Sequence, residues 1–156
     1  MGHYIQGIVF RKGLMAEARR LIPGGKCAAL AQDLCFMPVT DKVFDDLHRA
    51  YPHLIDGENG FERLSAPVER VAIELSRGGT VAYIETEYHG GSGAQSSVVW
   101  NNGAVVLPAR TAEVGPINEA LVLLGASRQD SPDEFDAVGL GQHHSNSNWF
   151  HKAPAA

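Results

Sequence analysis

The stretch TVAYIETEYHGGSGAQSSVVWNNGAVVLP, residues 80–108, decides the fold. Residues 80–88 set Val81, Tyr83 and Glu85 against Ala82, Ile84 and Thr86, the two-residue period of a strand with distinct faces. Residues 95–108 hold two apolar runs separated by Asn101-Asn102-Gly103, and Asn-Gly supplies the positive φ angles that a tight hairpin turn requires. Three successive strands joined by turn chemistry predict a meander at the centre of an antiparallel sheet.

The connection His89-Gly90-Gly91-Ser92-Gly93-Ala94 admits a second reading. His-Gly-Gly has the composition of an oxyanion-hole loop, and Gly90 to Ala94 is one glycine short of a nucleophile elbow. In that hydrolase architecture the two motifs lie on different loops of a much longer chain, and the serine stands between a strand and a helix. Here strand follows strand, so a glycine-rich connection between strands 80–88 and 95–101 is the better reading. Glu85, Glu87, Tyr88, His89 and Gln95 still surround it with hydrogen-bonding groups that suit a binding surface. The catalytic alternative is a small hydrolase-like enzyme using Tyr88 and His89, with Glu87 as acid or base.

Outward from this stretch the periodicity changes to that of helices. Leu14 to Ile22 has helix-forming composition and stops at Pro23-Gly24-Gly25. Val43, Phe44, Leu47 and Tyr51 form one stripe of a helix over about 41–51, with Thr40 placed to cap it. Val68, Val71, Ala72 and Leu75 repeat behind Ser65 and Pro67 and end at Gly78-Gly79. Ile117, Ala120, Leu121 and Leu124 repeat in the same way and close on Gly125, and a short helix is expected to begin at Ser131-Pro132. Strands are expected over 3–11 and around 34–37. The sum is one α+β domain over residues 1–156, a mostly antiparallel sheet with helices on one face and a tail that frays from about residue 151.

Composition narrows the function classes. A chain of 156 residues is long enough to bury one core, and 44% hydrophobic with 20% charged residues is ordinary for a soluble domain. Net charge is −5 and basic residues cluster no further than Arg11-Lys12 and Arg19-Arg20, which leaves direct nucleic-acid binding without its electrostatic footprint. No segment approaches the roughly 20 apolar residues of a membrane-spanning helix. The start MGHYIQGIVFRKG lacks the pattern of an export signal, so a cytoplasmic location is expected. Cys27 and Cys35 stand in apolar surroundings at a spacing foreign to zinc sites, and read as buried thiols in a reducing compartment. No cofactor is expected.

The remaining candidates have a plain structural reading beside the functional one. His143, His144 and His151 lie in a Gln/Ser/Asn-rich segment and read as exposed loop histidines rather than metal ligands. Asp41, Asp45 and Asp46 suit a solvated helix face. Asp130, Asp133, Glu134 and Asp136 form an acidic cluster that serves helix capping, or docks on a basic cleft of a partner. Trp100, just before the Asn-Gly turn, is either an interface anchor or a sheet residue. Trp149 and Phe150 are expected to anchor the tail onto the domain.

The run EYHGGSGAQSSVVWNNG (87–103), followed by PINEALVLLG (116–125) and DEFDAVGLG (133–141), resembles small bacterial immunity proteins of polymorphic toxin systems. The resemblance implies a cytosolic protein that binds a cognate toxin and blocks it. A docking surface drawn from Glu87, Tyr88, His89, Trp100, Asp133, Glu134 and Asp136 then fits a basic active-site cleft, which the net charge of −5 complements.

Overall fold

A computed structural model describes residues 2–153. Its strands are β1 (His3–Arg11), β2 (Ala28–Ala29), β3 (Leu34–Pro38), β4 (Val81–His89), β5 (Ser92–Asn101) and β6 (Ala104–Ala112). Its helices are α1 (Met15–Leu21), α2 (Asp41–Ala50), α3 (Ala66–Leu75), α4 (Pro116–Leu123), α5 (Glu134–Val138) and α6 (Asn146–Lys152). The six strands make one sheet in the order β2-β3-β1-β4-β5-β6, and neighbouring strands are antiparallel throughout. The α+β architecture is as the sequence leads one to expect.

Ile5 and Val9 point to one face of β1 and Ile8 and Phe10 to the other, and all four are fully buried. A strand that is apolar on both faces belongs inside a sheet. Accordingly, β1 lies between β3 and β4, with Val9 opposite Phe36 on one side and Ala82 on the other. The meander β4-β5-β6 therefore runs from the middle of the sheet to one edge instead of occupying the centre. Pairing between β1 and β4 joins residues some eighty positions apart, and local turn signals carry no information about it.

Both meander turns are two residues long. His89 pairs with Ser92 and Asn101 with Ala104, which leaves Gly90-Gly91 (φ 60° and 82°) and Asn102-Gly103 (φ 50° and 81°) as the connections. Left-handed backbone at both central residues is what a type I′ hairpin needs. The expected loop 89–94 shrinks accordingly, because Ser92 to Ala94 pair with Glu87 to His89. The second turn docks on the end of α3, where the Asn102 N–H donates to the Ser76 carbonyl at 2.7 Å and the Gly103 N–H to its hydroxyl at 3.0 Å.

Helices cover both faces of the sheet, which corrects the one-sided expectation. Ala18, Val43, Leu47, Val68, Val71 and Leu75 of α1 to α3 pack with Phe10, Tyr83 and Trp100 on one face. Ile117, Ala120, Leu121, Val138 and Trp149 of α4 to α6 pack with Ile5, Val9, Phe36 and Ile84 on the other. The second set of alternating strand residues is as apolar as the first, so it needs a cover of its own. The weakly patterned segment after Gly125 supplies part of it. Asp133 caps α5 by accepting from the Asp136 N–H at 2.9 Å, Gly139 ends that helix in left-handed backbone, and Ser145 caps α6. Trp149 is buried edge-on to Phe36, with ring centroids 5.6 Å apart, and anchors the C-terminal segment as expected. His151 and Lys152 close α6 and Ala153 is buried, while residues 154–156 of the expected frayed tail lie outside the described residues.

Candidate functional site

Alternation on the face covered by α1 to α3 also places polar side chains. Below, Ile8, Phe10, Tyr83, Val98 and Trp100 are roofed by the helices. Above, the register aligns Gln6 with Glu85, Glu85 with Ser96 and Ser96 with Thr111, a polar row across four strands. The next row sets Tyr4 opposite Glu87. The helices stop short of these rows, and the segment before α3 reaches over Glu85 instead.

Glu85 fixes that cover. Its side chain is buried, and its two oxygens accept from the Glu62 N–H and the Arg63 N–H at 2.9 Å each and from the Tyr83 hydroxyl at 2.6 Å. Tyr4 donates to Glu62 from the other side, which pushes the Tyr4 hydroxyl up to about 12. Arg63 continues outward, donating to the Val39 carbonyl at 2.9 Å and pairing with Asp41 at the start of α2.

Two cavities open around this arrangement and share Tyr4 and Gln6. One of about 190 Å³ lies over the polar row beside Glu62, Glu85 and Glu87. The other, of about 480 Å³, lies between the start of α2, the start of α6 and Arg63. Asn146 forms the seam, because its side-chain oxygen accepts from the Gln6 N–H at 2.9 Å while its amide donates to the Gln6 side chain at 2.9 Å and to the Val39 carbonyl at 3.0 Å.

Burial pushes the Glu85 carboxyl above its ordinary value, and the donors from Tyr83, Arg63 and Glu62 pull it only part of the way back. The unfolded chain therefore releases this proton first as pH rises past about 4.3. From there upward the fold binds more protons at this group than the unfolded chain does, so this group's contribution to stability falls with rising pH until the folded carboxyl has ionised. Urea unfolding across that range is expected to show a smaller loss of stability with rising pH in Glu85→Gln than in the unmodified chain. Equal pH slopes would contradict the assignment.

The residues expected to form one docking surface are dispersed. Glu87 is exposed and borders the smaller cavity, whereas Tyr88 points to the opposite face, where its hydroxyl donates to the Glu113 carbonyl and accepts from Gln95 at 3.0 Å. His89 is exposed beside the hairpin turn. A catalytic group made of these three would draw on both faces of the sheet. Ser92 is exposed and pairs in register with His89, and the other β5 hydroxyls are engaged, Ser96 with Thr111 at 2.7 Å and Ser97 with the Pro116 carbonyl at 2.8 Å.

Trp100 is 2% exposed in the core under α3, so as an interface anchor it is corrected to a packing residue. Asp133 caps α5 and accepts from Asn118 at 3.3 Å, which commits its carboxylate to the fold, while Asp136 is exposed and Glu134 half-buried. Asp133 and Tyr88 share a third cavity of about 370 Å³ with His3 and His144. Among the described residues no three His, Cys, Asp or Glu side chains gather as a metal-ligand group. His143 packs edge-on to Trp149, His144 lies beside His3, and His151 borders the larger cleft. Cys27 and Cys35 are free and buried.

Tyr4, Gln6, Arg63 and Asn146 were not among the residues singled out from the sequence. Gln6 within the apolar run YIQGIVF is the one local signal, a polar side chain at a position where strand alternation calls for burial. No protein-family model matches the chain, and neither a curated protein nor a solved structure matches it.

Proposed function

We propose that the chain is a non-catalytic binding protein that neutralises a cognate toxin, docking through the free edge of β6 and the adjoining surface of α4. The distribution of exposed apolar side chains carries this reading. Of the seven large hydrophobics exposed among the described residues, five, namely Val105, Val106, Val114, Val122 and Leu123, belong to β6, α4 and the loop between them. β6 is also the last strand of the sheet, and its outward N–H and C=O groups offer a template for an added strand. Edge strands are ordinarily blunted by charge or proline. β6 has Pro108 and a register irregularity against β5, and its one charge, Arg110, is paired with Glu119, which leaves the Ala104–Leu107 end as the stretch open to an added strand.

The partner that fits is a basic protein presenting an extended apolar segment, given the net charge of −5. The runs that carry the resemblance to immunity proteins, 87–103, 116–125 and 133–141, include β5 and α4 and flank β6. No described helix is long and apolar enough to cross a membrane.

Val105 and Val106 are 54% and 50% exposed, so replacing both with lysine is expected to change stability by no more than about 0.5 kcal/mol per site. Against the protein encoded by the adjacent gene, the same double variant is expected to raise the dissociation rate about tenfold or more. Surface plasmon resonance measures it, and an unchanged dissociation rate removes β6 from the interface.

A further inference from the structure

We propose that the larger cleft binds a small molecule through a carboxylate or phosphate group, with Gln6 reading the oxyanion from the cleft floor. The site is distinct from the β6 and α4 docking face and does not depend on it.

Gln6 is 2% exposed and its side-chain Nε2 has no hydrogen-bond partner. The orientation of the amide is fixed by its neighbour. Asn146 accepts from the Gln6 backbone N–H and donates to the Val39 carbonyl, which pins the Asn146 oxygen and nitrogen, and that nitrogen then requires the Gln6 oxygen toward it. Nε2 is left as an unused buried donor, and of the two cavities that Gln6 borders only the larger is lined by Lys42 and Arg63. A buried donor without an acceptor costs stability that a bound acceptor recovers.

Donors outnumber acceptors around the rest of the wall. Lys42 bonds Asp46 with one of its three N–H groups, and Arg63 uses two of its nitrogens on the Val39 carbonyl and Asp41. The ten-residue helix α2 opens on the cleft with the positive end of its dipole, and the Thr40 hydroxyl satisfies only the Val43 N–H of the first turn. Asp41 is the one carboxylate in the lining, and Arg63 neutralises it. Tyr4 and Phe150 contribute aromatic walls. This lining suits an oxyanion carried on a compact apolar body.

Two-dimensional NMR of the whole chain titrated with benzoate, phenyl phosphate and benzyl alcohol tests the proposal. Saturable shifts of the Asp41 and Lys42 amides and of the Gln6 side-chain NH₂ are expected. If they come with benzoate the site takes carboxylates, and if with phenyl phosphate it takes phosphates. Benzyl alcohol, which keeps the ring and lacks the charge, should leave these signals in place. Gln6→Met is expected to weaken the responding anion about tenfold. Lys42→Glu, on the exposed rim, should do the same without touching the buried network, so a folding defect in the first variant leaves the test intact. Absence of saturable shifts with both anions, an equal response to benzyl alcohol, or unaltered affinity in Lys42→Glu would overturn the proposal.

Discussion

Replacing Trp100 with alanine is expected to destabilise the fold by about 3–5 kcal/mol, the range for deleting a large aromatic side chain from a packed core. Trp100 is 2% exposed, stands opposite Val81 on β4 and shares its core cluster with Val71 and Leu75 of α3. The cavity left by the indole lies between the sheet and α3, whose end also anchors the Asn102-Gly103 turn through Ser76. A stability of about 5–15 kcal/mol is typical of a domain, so this one change removes a large share of it. Urea unfolding followed by far-ultraviolet circular dichroism measures the loss. A cost below about 1 kcal/mol would return Trp100 to the surface and with it the possibility of a direct role in docking.

Gly7→Val is the second large effect, and it acts on the other face. A Cβ at position 7 would lie 2.5 Å from the Met37 carbonyl oxygen and 2.5 Å from the Phe36 ring. Neither can yield cheaply, because the carbonyl belongs to β3 and the ring packs against Trp149. Overpacking of this kind costs about 1–3 kcal/mol, and a branched side chain belongs at the upper end. Displacing Phe36 also loosens α6, which forms one wall of the larger cleft through Asn146 and Phe150. Unfolding measurements should show the loss, and near-ultraviolet circular dichroism should show a changed tryptophan environment with Trp100 untouched. Wild-type stability in Gly7→Val would contradict the packing described for β1 and β3.

The contrast among Trp100, Gly7 and Val106 shows what the sequence discloses. Asn102-Gly103 announces its turn because positive φ is a local demand with a local residue preference, whereas the loop expected over 89–94 closes to Gly90-Gly91 once Ser92 to Ala94 pair across to β4. Val68, Val71, Ala72 and Leu75 announce α3 for a similar reason, since a helical stripe is complete within a dozen residues. Whether Trp100 is roofed or bare depends on where α3 lands, and that is a tertiary matter. Gly7 reads as an unremarkable glycine until Phe36 is laid across it.

The candidate site was less legible still. Glu85 was visible as a polar residue on a strand, but its role in holding residues 62 and 63 depends on a contact spanning more than twenty positions. Gln6 and Asn146 meet across 140 positions. Alternation in 80–88 did separate Tyr88 from Glu87, which is why residues adjacent in sequence do not form one surface. The acidic run near residue 133 reads as a docking patch by charge alone, whereas Asp133 is occupied as a helix cap.

Amide hydrogen exchange of the chain, free and mixed with the protein encoded by the adjacent gene, tests the proposed docking most directly. In the free chain, β6 should exchange faster than the doubly paired strands β1 and β4. In the complex, new protection should appear across residues 104–112 and 116–123, the edge strand and the helix beside it. A complex that leaves β6 exchanging as before, with protection confined to other segments, would contradict the account, as would the absence of any complex.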